Sequence, residues 1–130
     1  MEIKTHKLAN PNFLGKPIKI IEGVEATVEL QASDEMAVDE YGLIHGGFTF
    51  GLADYAAMLA VNHSFVVLGA ANIRFLAPVR VGEIMRAKAL VSQVEGRKII
   101  VSVDVNVNDK HVLKAEMVCF ILEKHVLSVL

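Results

Sequence analysis

The segment from Leu43 to Asn62, "LIHGGFTFGLADYAAMLAVN", places one carboxylate, Asp54, among apolar and small residues. A carboxylate in low-dielectric surroundings must gain partners or take up a proton. Two roles fit that position. A structural acid would pair with Arg74, Arg80 or a histidine and hold the fold together. A catalytic acid, base or nucleophile would have its proton affinity tuned by the burial itself. The carboxylate alone does not decide between them. The opening of the segment, His45-Gly46-Gly47, adds weight to chemistry. A helix N-terminus presents free N–H groups and the positive end of the helix dipole. Glycines there let a ligand approach those groups, which makes an oxyanion hole for a carbonyl under attack. Two glycines before a helix are, taken alone, also what a tight turn needs.

Spacing limits how the two features combine. Asp54 lies seven residues beyond Gly47, about 10 Å along a helix axis. Its side chain leans back toward the helix start by about 3 Å. One carbonyl carbon needs both groups within about 3–4 Å. The two groups of one helix therefore cannot serve one carbonyl, and catalytic use of both requires two copies of the chain with two composite sites.

The elements that must position these residues follow from periodicity. From Gly46 to about His63 small and large apolar residues occupy nearly every face, as in a fully buried helix. Residues 1–17 are polar, carry Pro11, Gly15 and Pro17, and read as a lead-in segment that is partly loop. "GVEATVELQ" alternates as a strand with Val24, Ala26, Val28 and Leu30 inward. Four further strands are predicted at about 65–76, 83–94, 98–108 and 111–122. The third is the clearest, with Ile99, Val101, Val103, Val105 and Val107 on one face. Their short links, "VEGRK" and "VNDKH", predict antiparallel hairpins, so the last four strands read as a meander. The expectation is one α+β domain over residues 1–130: an antiparallel sheet wrapped around one long central helix. The helix would keep an open side, and a second copy of the chain is the economical cover. The 53% apolar content exceeds what a monomer needs and points the same way.

Composition also excludes. No basic run interleaved with aromatics suggests nucleic acid, and a net charge of −2 gives no steering toward it. No apolar stretch reaches the ~20 residues of a membrane span. The first residues contain no apolar leader, and the lone Cys119 cannot form an internal disulfide, so a reducing cytoplasm is expected. Cys119 itself reads as an inert buried thiol. The other histidines, His6, His63, His111 and His125, have no metal-ligand spacing, and no metal site is expected.

With "HGGFTFGLAD" followed by "ANIRFLAPVRVGE", the chain resembles the hotdog-fold acyl-CoA thioesterases, most closely the phenylacetic-acid-pathway type, over about residues 22–122. The resemblance implies a hotdog fold and homodimers or dimers of dimers. It also implies hydrolysis of an acyl-CoA thioester at the dimer interface, with coenzyme A as part of the substrate and no separate cofactor. Carried over by position, Asp54 matches the general base or nucleophile. Gly46 or Gly47 matches the oxyanion-hole donor, and His45 the histidine lining the thioester carbonyl. Two positions depart from the family pattern. Asp39 stands where many relatives have an asparagine that places the attacking water, and an ionised carboxylate cannot donate a hydrogen bond. Leu68 stands near where some relatives have a serine or threonine. Asn72 on the strand after the helix and Arg74 are candidate ligand contacts, the latter for coenzyme A phosphates along with Arg80, Arg97 or Lys98. Phe48, Phe50, Tyr55 and Met58 are candidates for the acyl tunnel or plain core. Two other functions compete with hydrolysis. One is an acyl-CoA-binding module without turnover, which Asp39 and Leu68 favour. The other is a hydratase or dehydratase, which needs a histidine paired with an acid, and no such pair is evident in the sequence.

Overall fold

The computed structural model of the chain describes residues 2–129, so Met1 and Leu130 of the expected domain lie outside the described residues. The element order is α1 (Pro11–Leu14), β1 (Lys16–Ile21), β2 (Glu25–Gln31), α2 (Gly46–Val61), β3 (Val66–Phe75), β4 (Ile84–Glu95), β5 (Lys98–Val107) and β6 (Lys110–Ile121). All six strands form one antiparallel sheet in the order β1-β2-β4-β5-β6-β3. The sheet wraps α2, which packs chiefly on β2, β4 and β5. This is the hotdog fold that the sequence leads one to expect.

The long helix forms where small and large apolar residues surround it. Leu52, Ala53, Ala56, Ala57, Leu59 and Ala60 are wholly inaccessible to solvent, so the helix is held by burial on several sides rather than by one amphipathic stripe. It stops at Val61, slightly earlier than predicted, because Asn62 turns left-handed (φ 51°, ψ 50°) and donates its N–H to the Met58 carbonyl at 2.8 Å. The inward set of β5 is as predicted: Ile99, Val101, Val103, Val105 and Val107 are buried against the core.

Three expectations are corrected. The lead-in segment contains α1 and runs into β1, a sixth strand hidden in "KPIKII". Pro17 and the missing polar–apolar alternation argue against a central strand, but an edge strand tolerates proline, and β1 is an edge with a register shift between Pro17 and Lys19. The meander is three strands, not four. β4, β5 and β6 follow in order, while β3 pairs with β6 at the far edge. The link from Phe75 to Ile84 is too long for a hairpin, and it crosses past the helix start, where Arg80 bridges Leu43. Finally Val24, expected inward, lies in the turn before β2 and is half exposed.

Candidate functional site

α2 carries the site. Gly47, Phe50, Gly51 and Asp54 recur at helical spacing on one face, and they stay open or half-buried while nearly all later residues of the helix are buried. The N-terminal segment covers the flank of this stripe. Phe13 packs on Phe48 with ring centroids 5.9 Å apart, and His6 lies 6.2 Å from the Tyr55 ring. The open side of the helix is therefore narrower than the sequence suggests, and it centres on Asp54.

Asp54 is not a structural ion-pair member. Neither Arg74 nor Arg80 reaches it, and among the described residues its buried Oδ1 has no hydrogen-bond partner. Desolvation raises its pKa above the ordinary 3.8, and the charge on His6 opposes that rise. Cys119 on β6 feels the same surroundings. Burial, reinforced by the Asp54 charge, pushes its thiol up to about 12, so it is the inert buried thiol expected. The register partner of Cys119 on β3 is Leu68, so that part of the sheet offers the carboxylate no strong donor. A carboxylate kept desolvated and unpartnered costs stability and is what a base needs before substrate arrives.

At the other end of the stripe, His45 is the N-cap residue of α2, and its side chain makes no capping bond. Its N–H donates to the Met36 carbonyl at 2.9 Å, and its ring stands edge-on to Phe48, centroids 6.3 Å apart. The N–H groups of Gly46 and Gly47 have no intrahelical acceptor by construction, while Phe48 already donates to the His45 carbonyl at 3.1 Å. The glycine pair is explained by close approach. A Cβ on Gly47 would stand 2.9 Å from the His45 ring, and one on Gly46 would stand 3.1 Å from the Phe75 ring. A cavity of about 390 Å³ opens here, lined by Gly46, Thr49, Phe75, Pro78, Val79 and Val112. A larger groove of about 650 Å³ lies on the β1–β2 side and holds none of the predicted site residues.

The remaining candidates separate. Asp39 is exposed, and its Oδ1 accepts the N–H groups of Tyr41 (3.0 Å) and Leu43 (3.2 Å), which shapes the loop leading to His45. Asn72 and Arg74 sit on the exposed β3, away from the helix stripe, and among the described residues Arg74 makes no ion pair. Arg97 is engaged with Glu123 and the Ile121 carbonyl. Tyr55 and Met58 are core; Phe48 and Phe50 are half-buried at the stripe. Among the described residues no hydrogen bond or ion pair joins a histidine to Asp54; His6, whose ring lies beside Tyr55, is near enough only for the two charges to influence each other. Residues so far apart in sequence carry no spacing signal, and no pattern marks His6 beforehand.

Comparison with known proteins bears on the family and the fold. A family model of the Thioesterase superfamily matches residues 41–114. The structure of an uncharacterized protein from Pyrococcus horikoshii is similar at 56% identity with a TM-score of 0.95, covering 98% of this chain and 97% of that one. A mutant structure of the phenylacetic acid degradation protein PaaI from Thermus thermophilus is similar at 29% identity and a TM-score of 0.76, covering 84% and 95%. Among curated proteins, the methylthioribose-1-phosphate isomerase of Aquifex aeolicus is 51% identical over 75% of this chain, which spans 21% of that protein. The transcription factor FapR of Thermoanaerobacter pseudethanolicus is 25% identical over 96% of this chain, which spans 62% of that protein. No helix among the described residues is long and apolar enough to cross a membrane. The family match takes in the glycine-rich helix start, the desolvated carboxylate and most of the sheet, more than half of the 130 residues, and on that ground the chain belongs to the thioesterase superfamily.

Proposed function

We propose that the protein hydrolyses acyl-CoA thioesters, with Asp54 as general base or nucleophile and the Gly46–Gly47 backbone as oxyanion hole. The observation that carries this reading is the buried Oδ1 of Asp54 without a hydrogen-bond partner, on the same helix face as free N–H groups two turns away. A structural acid would have been given a partner. At about 10 Å apart along the axis, the two groups serve one carbonyl only if they come from two copies.

The sheet supports that assembly. β1, one edge, is guarded by Lys16, Pro17 and Lys19; β3, the other, runs ten residues with Arg74 its only charge, and Gly69, Ala70, Ala71 and Asn72 are exposed. A long edge with a single charge is a pairing surface, and we assign it to a second copy of the chain. In the dimer, the thioester carbonyl rests on the helix start of one subunit. Asp54 of the other draws a proton from the attacking water or attacks directly. The backbone donors lower the barrier by about 3–4 kcal/mol. Coenzyme A lies outward, with Arg74 and Asn72 as its contacts along the β3 edge.

Similarity to a transcription factor over nearly the whole chain favours a second reading, binding of acyl-CoA without turnover. Asp39, occupied by its own loop, and the apolar Leu68 point the same way. Free-thiol release from acetyl-, hexanoyl-, palmitoyl- and phenylacetyl-CoA separates the two. Turnover of any of these establishes the hydrolase. A raised melting temperature with acyl-CoA and no thiol release establishes the binder.

Two variants test the parts. Gly47→Ala forces the exposed His45 ring aside and crowds the donors, so kcat is expected to fall about tenfold while the melting temperature changes little. Ala71→Lys places like charges on the β3 edge. Sedimentation should then show monomers, with activity lost in proportion.

A further inference from the structure

A thioester carbonyl resting on the start of α2 must send its acyl group somewhere, and a cavity of about 390 Å³ opens there with Gly46 on its wall. Ile44, Phe75, Leu76, Val79 and Val112 supply apolar surface, and among the described residues no charged one lines it. Thr49 brings its one polar side chain. Thr49 is 3% exposed, and its hydroxyl has only the Met85 thioether as acceptor, at 3.5 Å, a weak partner. The rim is apolar as well. Phe75 and Leu76 are 58% and 48% exposed, and the Phe75 ring lies 3.1 Å from where a Cβ on Gly46 would stand.

Resting on the acyl-CoA reading above, we propose that this cavity is the acyl pocket, that it selects uncharged aliphatic chains of up to about twelve carbons, and that Phe75 and Thr49 set that limit. Gly46 belongs both to the oxyanion hole and to the cavity wall, so a carbonyl held by its N–H has its acyl carbons at the cavity mouth. Coenzyme A does not fit there instead. Its phosphates would meet no cation, and its pantetheine amides would find a single side-chain hydroxyl. The same cost excludes acyl groups that end in a carboxylate. An apolar cavity of about 150 Å³ holds one benzene ring. This cavity is about two and a half times as large, room for about fifteen carbons at that density and about twelve with the mouth left open.

The other candidate places do not compete. The groove of about 650 Å³ on the β1–β2 side is larger, but Lys16, Glu29, Asp34 and Glu35 line it, and a hydrocarbon chain there would strip water from charges. The residues read from the sequence as a possible acyl tunnel, Phe48, Phe50, Tyr55 and Met58, line neither space. The acyl group lies instead against Gly46 and Thr49, one turn apart on α2, and against the segment that follows β3.

Calorimetric titration tests the pocket without turnover, using Asp54→Asn protein and straight-chain acyl-CoAs from butyryl to tetradecanoyl in steps of two carbons. Affinity should rise about fourfold per methylene and level off near dodecanoyl. Succinyl-CoA, which replaces the end methyl of butyryl-CoA by a carboxylate, should bind at least about tenfold more weakly. Phe75→Ala, added to this background, should shrink the advantage of dodecanoyl- over butyryl-CoA at least about tenfold. Thr49→Leu should end the rise about two carbons sooner. Phe75 is more than half exposed, so its variant folds whether or not Thr49→Leu does. An affinity that is flat with chain length, succinyl-CoA bound as tightly as butyryl-CoA, or a profile that Phe75→Ala leaves unchanged overturns the pocket, even where the wild type releases thiol. A rising profile that responds to Phe75→Ala, with no thiol release from the wild type, overturns hydrolysis and leaves the pocket assigned to a binder.

Discussion

Asp54→Asn is expected to abolish most thioester hydrolysis and, at the same time, to make the protein more stable at neutral pH. The loss should be at least about a hundredfold in kcat, since the isosteric amide can neither attack nor accept the proton. The gain follows from the same burial. The wild-type carboxylate is ionised at pH 7 in the unfolded chain, where water solvates it. In the folded chain one of its oxygens is buried without a hydrogen-bond partner. Removing an uncompensated, partly buried charge should recover about 1 kcal/mol, or about 3–6 °C in melting temperature for a domain of this size.

The pH dependence gives the sign independently. Desolvation raises the folded pKa of Asp54 above its ordinary 3.8, so between those two values the folded state holds more protons than the unfolded one. Wild-type stability therefore falls as pH rises through that window, and the penalty is complete above the folded value. The advantage of Asp54→Asn should grow from nothing near pH 4 as pH rises toward 8, levelling off above the folded value. Melting curves across that range, beside kcat from thiol release, check both halves. A structural acid gives the opposite pattern, with the variant less stable at pH 7 and activity lost only as the fold is lost.

The pairing of those effects shows what the sequence could and could not tell. Asp54, the glycine pair and the long helix were legible because each is a local anomaly: an acid in an apolar run, two glycines at a helix start, apolar residues on every face. β5 was legible because five alternating residues leave one face to bury. The edge strand β1 was not, since an edge escapes both the alternation and the ban on proline by which strands are recognised. The place of β3 beside β6 was not, because hairpin logic applies to short links and the Phe75–Ile84 link is long. Asp39 shows a subtler loss. Its type suggested a departure from a water-placing asparagine, whereas its carboxylate holds two N–H groups of its own loop. His6 lay beyond reach altogether, because its neighbourhood is made by Asn62 and by the packing of the N-terminal segment, neither of which has a periodic signature.

Asn62→Ala should be the most destabilising of the substitutions considered, by about 2–3 kcal/mol, or about 10 °C in melting temperature. Asn62 is almost wholly buried and has two tasks. Its backbone ends α2 in the left-handed region, which asparagine tolerates and alanine does not, at a cost of about 1 kcal/mol. Its amide also holds the Lys4 N–H and the Glu2 carbonyl, with a longer contact to Glu22 Oε1 at 3.4 Å. Each lost bond costs about 1 kcal/mol net. The exposed Lys4–Glu22 ion pair is too solvated to replace them. Asn62→Gly separates the tasks: glycine accepts the left-handed backbone but offers no amide. It should recover about 1 kcal/mol relative to alanine, while both variants lose hydrogen-exchange protection at the Lys4 N–H and free the segment that carries His6. Two variants of unequal stability that show the same local opening would place the tether in the side chain; protection retained in Asn62→Gly would place it in the packing of Ile3 and Thr5 instead.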